Sequence, residues 1–329
     1  MVQIKHSALA KKAAVLTAAF FVCLASSAVS AGPLAYITNQ KANSVSVIDV
    51  AARAVVGTIA LPPGSEPAGV AVSGDGRVIC VANPTSKQVT VIDGPSRRIV
   101  GSIPVGSGPV GIAVDSRGKL AYAADWYEDS VAVLDVDRQL VLWRVPVGRS
   151  PAGLAVSADD SKVYVANRDD DSISEIDARR LQVTRTVKVG KHPFGILLSD
   201  DGKRIYSANV ESNDVSVVDV DAFALLKTVR VGERPYAIAA AANRLFVTNQ
   251  YDNSVSVIAL DSLGVIGTVP VGEYPEGIAA HPNGREVYVA NWFSNSVSVI
   301  DAQALKVVDT IPTGDGSRAF GAFISQQLD

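Results

Sequence analysis

The chain has 329 residues, 48% of them hydrophobic, and its 30 Lys and Arg against 33 Asp and Glu give a formal net charge of −3. An anionic chain has no general attraction to nucleic acid or to anionic lipid, so the composition disfavours both as partners. A chain of this length can bury a core large enough to fold without disulfides.

The first 31 residues have the composition of a secretory signal peptide. Three lysines precede an apolar run over residues 13–24, and small residues follow that run up to Ala31. The run is shorter than the roughly 20 apolar residues of a membrane span, and Val29 and Ala31 suit the −3 and −1 positions of a cleavage site. We therefore predict a cleaved signal peptide over 1–31, a single mature domain over 32–329, and a periplasmic or secreted location.

Cleavage would change the charge and the cysteine content of the chain. The mature part keeps 27 Lys and Arg against 33 Asp and Glu, a net charge of about −6. Cys23 leaves with the signal, so Cys80 has no cysteine with which to form an intrachain disulfide. No second apolar run follows residue 31, and we expect a soluble monomer without a transmembrane segment.

The rest of the chain repeats one pattern seven times. An apolar strand ends in Asn or Asp, a short polar loop follows, and a strictly alternating segment ends in Asp in all copies but one. A fixed period of this length indicates a repeat architecture. The Asn or Asp that ends the apolar strand recurs at spacings of 40 to 44 residues, at Asn39, Asn83, Asp125, Asn167, Asn209, Asn249 and Asn291.

Each copy predicts four short strands. In the copy that begins at Pro151, apolar segments cover 151–156 and 163–166, and an alternating segment covers 172–177. Alternation with a period of two is typical of a strand with one buried face, and a fourth strand covers 183–187. Four short strands in about 42 residues match one propeller blade of about 40–45 residues. The sequence therefore predicts an all-β fold, a seven-bladed β-propeller of four-stranded blades.

The two ends of the chain predict how the ring closes. The mature chain begins without the first strand of its first blade, and it ends with an apolar segment that has no later partner. We predict that residues 34–61 supply the outer three strands of blade 1 and residues 320–325 its inner strand. Such closure leaves only short, protected sheet edges.

The repeat motifs resemble a known family. The sequences AYITN, VYVAN and LFVTN, followed by NSVSVID and by VGxxPxGIA, resemble the YVTN-type repeats of bacterial exported β-propellers, including the YncE-like group. The resemblance covers about residues 33–325. It implies a propeller found among surface and cell-envelope proteins, with relatives that accompany quinoprotein oxidation systems and a YncE-like branch credited with binding single-stranded DNA. It supplies no catalytic residue.

The repeated residues are predicted to have structural roles. The Asn after the second strand is expected to bond the backbone and to adopt the left-handed conformation of a tight turn. The Gly of the PxG motif permits close approach of two backbones, and the Asp of VSVID is expected to accept turn amides. Function is therefore expected where the blades differ.

The blades differ most in two sets of loops that are predicted to share one face of the ring, here called the loop face. These loops precede the first strand of each blade and join its second and third strands, and loops of this kind commonly carry function. Aromatic and Arg side chains are typical of binding surfaces. The alternative is that these side chains only pack on one another. The predicted binding residues are Trp126, Arg149, His192, Phe194, Arg234, Tyr236, Tyr251, Glu276, Trp292 and Arg318.

The sequence offers one weak catalytic residue and predicts no metal site and no cofactor. His192 can act as an acid or base near neutral pH, but the sequence identifies no partner for it. The acidic run over 169–171 lacks the spaced ligands and the Gly of a calcium loop. Motifs such as CxxC, HExxH and CxxCH are absent from the sequence.

Three hypotheses for function follow. The first, which we favour, is a non-catalytic binding or scaffolding protein that engages a protein or small-molecule ligand through the loop face. The second is an enzyme or an accessory of a periplasmic quinoprotein-type oxidation system, with its site at the channel mouth. The third is binding of single-stranded DNA, which the net charge disfavours. Its stacking platforms and phosphate contacts would be Trp126, Tyr251, Trp292, Arg149, Arg168, Arg234 and Arg318.

Overall fold

A computed structural model describes residues 32–326, which contain 27 β-strands and one 3₁₀ turn at Arg168–Asp170. The strands form seven antiparallel sheets, each built from strands consecutive in the chain. The sheets are the blades of a ring, so the predicted all-β seven-bladed propeller is confirmed. The predicted signal peptide over 1–31 lies outside the described residues.

The first three blades cover residues 34–146. Blade 1 contains β1 (Leu34–Asn39), β2 (Ser44–Asp49) and β3 (Ala54–Ala60). Blade 2 contains β4 (Val70–Val72), β5 (Val78–Asn83), β6 (Gln88–Asp93) and β7 (Arg98–Pro104). Blade 3 contains β8 (Pro109–Val114), β9 (Leu120–Asp125), β10 (Ser130–Asp135) and β11 (Leu140–Pro146).

The other four blades cover residues 151–312. Blade 4 contains β12 (Pro151–Val156), β13 (Lys162–Asn167), β14 (Ser172–Asp177) and β15 (Gln182–Lys188). Blade 5 contains β16 (Pro193–Leu198), β17 (Arg204–Asn209), β18 (Asp214–Asp219) and β19 (Ala224–Arg230). Blade 6 contains β20 (Pro235–Ala241), β21 (Arg244–Asn249), β22 (Ser254–Ala259) and β23 (Gly264–Pro270). Blade 7 contains β24 (Pro275–Ala280), β25 (Glu286–Asn291), β26 (Ser296–Asp301) and β27 (Lys306–Pro312).

The second and third strands of each blade form the core of the ring. In β13 and β14, for example, ten of the twelve residues are buried, whereas in the outer strand β15 every residue but Val187 is exposed or partly buried. The middle strands are buried on both faces because each blade packs against two neighbours. The outer strands are the sheet edges and face water.

The ring closes as predicted, through the C-terminal segment. The amide of Tyr36 donates to the carbonyl of Phe323 at 2.9 Å, and the amide of Ser325 donates to Leu34 at 2.9 Å. The segment pairs with β1 through isolated bridges rather than a continuous strand. It also bonds the neighbouring blade, because the amide of Val70 donates to the carbonyl of Phe320 at 2.9 Å.

The repeated Asn is structural, but the predicted conformation is wrong. Asn167 has an extended backbone with φ −95°, and its buried amide donates to the hydroxyls of Ser172 at 3.1 Å and Ser174 at 2.8 Å. The left-handed conformation occurs four residues later, at Asp171 with φ 47°. The Asn therefore ties the second strand to the third by side-chain hydrogen bonds that a local turn propensity does not indicate.

The PxG glycines have the predicted role of close backbone approach. A Cβ atom built on Gly153 would lie 2.4 Å from the carbonyl oxygen of Phe194 in the next blade. Blade 6 is an exception, with Ala237 at this position. In this blade Thr248 replaces the Ala found at the equivalent position of blades 2–5 and 7. Its hydroxyl accepts a hydrogen bond from the amide of Ala237 and donates one to the carbonyl of Glu276, both at 3.0 Å.

The strand-ending Asp residues also behave as predicted. The carboxylate of Asp49 accepts the amide of Ala52 at 2.9 Å, and that of Asp219 accepts the amide of Ala222 at 2.7 Å. Each such bond satisfies a backbone donor in the turn between the third and fourth strands. These turns lie at the end of the ring opposite the loop face.

Candidate functional site

The two predicted sets of loops do share one face. The amide of Val210, in a second-to-third strand loop, donates to the carbonyl of His192, in an interblade loop, at 2.9 Å. The equivalent bond from Trp292 to Tyr274 measures 3.0 Å. Backbone bonds of this kind recur around the ring and hold the two loops side by side.

Side-chain hydrogen bonds between neighbouring blades also hold these loops in place. Asp171, Asn213 and Asn253 end their loops in the left-handed conformation. Each accepts an amide from the interblade loop of the next blade: Asp171 from His192 at 2.9 Å, Asn213 from Arg234 at 2.8 Å, and Asn253 from Tyr274 at 2.9 Å. The side chains of the loop face therefore project from a rigid backbone.

Aromatic side chains close the channel at the loop face. The ring centroid of Phe194 lies 4.2 Å from that of Tyr236, 4.9 Å from that of Phe320 and 5.9 Å from that of Trp126. Phe194 belongs to blade 5 and Phe320 completes blade 1, and two blades separate them in the ring. Their contact therefore crosses the channel. We call Trp126, Phe194, Tyr236 and Phe320 the aromatic plug; the last three are buried.

A buried ion pair lies beside the plug. Arg318 Nε donates to Glu276 Oε2 at 2.5 Å, and Arg318 Nη2 donates to the Tyr236 hydroxyl at 3.1 Å. Gln250 donates to Glu276 Oε1 at 3.1 Å. Burial raises the pKa of Glu276, and the charge of Arg318 opposes that rise. Glu276 is only 1% exposed and the side chain of Arg318 17% exposed, so the pair supports the loop face mainly from within.

An exposed aromatic cluster lies outside the plug, across blades 6 and 7. The Tyr274 ring lies 5.9 Å from Tyr251, 5.4 Å from Trp292 and 4.9 Å from Phe293. Tyr251 is 56% exposed and Phe293 50% exposed. We call these four residues the aromatic rim. Three cations contact it, with Arg234 4.8 Å from Tyr251, Arg318 5.1 Å from Trp292 and Lys41 5.8 Å from Phe293.

Arg149 and His192 have different surroundings from the aromatic rim. Arg149 bonds the carboxylate of Asp170 at 2.6 Å, and its backbone amide bonds the same group at 2.8 Å. These bonds hold the pKa of Asp170 below its usual range. His192 Nε2 lies 3.2 Å from Glu211 and 4.0 Å from Asp169. Both side chains are therefore in contact with carboxylates of this chain.

The charges of the loop face have an acidic excess. Counted over both sets of loops, seven Lys and Arg face eleven Asp and Glu. Among the basic residues, Arg149, Arg168 and Arg318 are each paired with a carboxylate. A surface of this charge does not attract a polyanion, which counts against the hypothesis of single-stranded DNA binding.

The structure therefore divides the ten predicted residues. It joins Trp126, Phe194 and Tyr236 in the plug, Glu276 and Arg318 in the ion pair, and Tyr251, Trp292 and Arg234 in or against the rim. Sequence reasoning did not select Tyr274, Phe293 or Gln250. Phe293 follows Trp292 as Tyr127 follows Trp126, and this paired aromatic motif was a signal for it.

Within residues 32–326, no helix is long and apolar enough to cross a membrane. The same residues contain no group of three or more His, Cys, Asp and Glu side chains placed to hold a metal ion.

The fold and the loop face define a seven-bladed β-propeller whose blade-specific side chains cluster around one end of the channel. A family model described as a YNCE-like beta-propeller matches residues 14–119, and one described as Lactonase, 7-bladed beta-propeller matches residues 143–230. Both models describe β-propellers, and the first supports the resemblance of the repeats to the YncE-like group. No curated protein matches it.

Solved structures share the fold at low sequence identity. A functionally unknown protein from Desulfotomaculum acetoxidans is 14% identical with a TM-score of 0.73, covering 88% of this chain and 99% of that one. Dihydro-heme d1 dehydrogenase NirN, in complex with DHE, is 14% identical with a TM-score of 0.66, covering 84% of this chain and 63% of that one. Hydrazine synthase from Kuenenia stuttgartiensis is 20% identical with a TM-score of 0.55, covering 75% and 99%.

Proposed function

We propose that this protein is an exported, non-catalytic binding protein of the cell envelope that holds its partner against the aromatic rim. The observation that carries the proposal is the exposure of Tyr251 and Phe293 within a contacting cluster of four aromatic side chains. Clustered aromatic side chains supply most of the binding energy in many interfaces because they bury a large area at a small entropy cost.

The charges around the rim favour a neutral partner. Lys41 and Arg234 contact the rings, while Asp252 and Glu273 lie in the same loops. Charges of both signs in close proximity cancel for a polyion but still offer hydrogen bonds to polar groups. A neutral ligand with planar apolar surfaces and hydroxyl or amide groups, such as a glycan or a peptide, fits this surface.

A ligand screen with matched variants tests the rim. The mature protein is screened by thermal shift against neutral glycans, peptides and oligonucleotides, since a ligand of the native state raises the midpoint. A hit should be lost in Y251A/F293A and kept in Y127A, because Tyr127 is 75% exposed on the same face but outside the rim. A hit that survives in Y251A/F293A, or the absence of any hit, would contradict the proposal.

Export is the second part of the proposal. It rests on the basic, apolar and small-residue segments of residues 1–31, which have the order of a secretory signal peptide. Expression of the full chain in a bacterium, followed by mass spectrometry of the periplasmic fraction, should give a protein that begins at Gly32. Recovery of the full-length chain from the cytoplasm would contradict export and would leave the rim untouched.

A second candidate function is hydrolysis at His192. Two observations favour it: the distance of 3.2 Å between His192 Nε2 and Glu211, and the position of both residues within the stretch that matches the Lactonase model. A base oriented by a carboxylate can activate water. Hydrolysis of a simple lactone by the wild-type protein, lost in H192A and retained in Y251A/F293A, would support this function over the first. No turnover above the uncatalysed rate would exclude it for that substrate.

A further inference from the structure

The channel contains a cavity at the end opposite the loop face. Its volume is about 730 Å³, within the range of about 300–1,000 Å³ typical of small-molecule sites. Phe320 of the aromatic plug also lines this cavity, so the plug forms its closed end. The turns after the inner strands, with Asp200 and His281, line its mouth.

The walls of the cavity are apolar. They come from the inner strands of blades 3 to 7 and from the closing segment of blade 1. Many of these side chains are partly exposed although the strands that carry them belong to the interior of the ring. When an apolar ligand displaces the water from such a concave apolar surface, the free energy of binding is favourable. The partly exposed apolar wall residues include Leu154, Ala155, Leu197, Leu198, Ala240 and Ala280.

The mouth carries a few polar groups. His281 Nδ1 accepts the amide of Asn283 at 2.9 Å, so the neutral ring has its proton on Nε2 and can donate it. Burial lowers the pKa of His281, which keeps the ring neutral at physiological pH. Asn243 and Gln326 also line the mouth and add amide donors and acceptors.

The charges of the lining exclude an anionic ligand. No Lys or Arg is found among the described residues that line the cavity, and Asp200 is their one carboxylate. A ligand carboxylate or phosphate would lose its hydration without gaining a cation. A neutral ligand avoids this penalty.

We propose that this blind channel is a binding site for a neutral, mostly apolar small molecule that carries a hydrogen-bond acceptor such as a carbonyl. The apolar part lies between the inner strands and ends against the aromatic plug, and the acceptor lies at the mouth within reach of His281, Asn243 or Gln326. This site is independent of the aromatic rim, which lies on the other face of the ring.

Nile red is a suitable probe because it is uncharged, planar and apolar and carries a carbonyl group. Titration into the mature protein should give saturable, blue-shifted emission at one site per chain. The variants A155F and A280F place a large side chain on opposite walls, in blades 4 and 7, and each should weaken binding by about 10-fold or more because the cavity is filled. The rim variant Y251A/F293A should bind Nile red as the wild type does.

The outcomes separate the two sites. Loss of Nile red binding in both filled variants, with circular dichroism and thermal midpoint close to those of the wild type, supports the cavity. If one filled variant unfolds, the other decides, since the walls belong to different blades. Unchanged binding in a folded filled variant, loss of binding in Y251A/F293A, or no saturable binding by the wild type would overturn the proposal. Loss of binding in Y251A/F293A would place the probe on the rim, whereas the other results leave the proposal for the rim unchanged.

Discussion

The two ends of the central channel are built from the same seven inner strands and differ completely. At the loop face, the residue after the first-strand proline is Phe194 in blade 5 and Tyr236 in blade 6, and these side chains close the channel together with Trp126 and Phe320. At the other end, small and aliphatic residues leave a cavity of about 730 Å³. The backbone repeat thus sets the width of the channel, and single residues that depart from the repeat decide which end is closed.

The difference also affects how stability is distributed. The Asn–Ser bonds between second and third strands occur in blade after blade, so no single bond is unique. The ion pair between Glu276 and Arg318 and the Thr248 bridge beside it each join two or more blades at one place. Substitutions at the closed end are therefore expected to have larger effects than substitutions at the open end.

The largest effect is expected for E276Q. Loss of the carboxylate leaves the largely buried charge of Arg318 without a counter-ion, and a buried pair broken in this way costs about 3–5 kcal/mol. Urea unfolding of the wild type and the variant measures the difference. In the double variant E276L/R318M both charges are removed, and most of the lost free energy of unfolding should return. A loss below about 1 kcal/mol in E276Q would show that the pair is not insulated from water.

A smaller effect is expected for T248A. Removal of the hydroxyl leaves the amide of Ala237 and the carbonyl of Glu276 without this partner, at about 1–3 kcal/mol. Blades 2–5 and 7 combine Gly at the position of Ala237 with Ala at the position of Thr248, so A237G/T248A should be more stable than T248A alone. Thr310 is exposed, so T310A is the matched control, and its free energy of unfolding should change by no more than about 0.5 kcal/mol. Equal losses in T248A and T310A would contradict a bridging role.

The fold was predictable because repetition amplifies a weak signal. One copy of the pattern over 151–187 is compatible with several β architectures, but seven copies and an unpaired C-terminal segment favour a closed ring. The role of Asn167 was not predictable in the same way. Its bonds to Ser172 and Ser174 depend on the register of two strands, whereas sequence reasoning assigned it to a turn.

The site was predictable only in part. The position of Phe194 on the loop face followed from the alignment of blades, but its contact with Phe320 depends on the diameter of the ring. Burial therefore could not be assigned to Glu276 or exposure to Phe293. No sequence motif indicates the cavity, because it is the space that small side chains such as Ala240 and Ala280 leave unfilled.

The smallest effect is expected at the open end, in the pH dependence of stability. Burial lowers the pKa of His281 below its ordinary value of 6.5, so protonation of this ring favours the unfolded chain. Its contribution to stability is therefore fully present above pH 6.5 and is lost as the pH falls through the lower folded pKa. The free energy of unfolding, measured between pH 8 and pH 5, should fall less steeply in H281Q than in the wild type. H192Q is the control on the loop face. Identical slopes for H281Q and the wild type would mean that water enters the mouth freely enough to hydrate a charged ring. The open end would then differ less from bulk solvent, and more from the buried closed end, than the burial of His281 indicates.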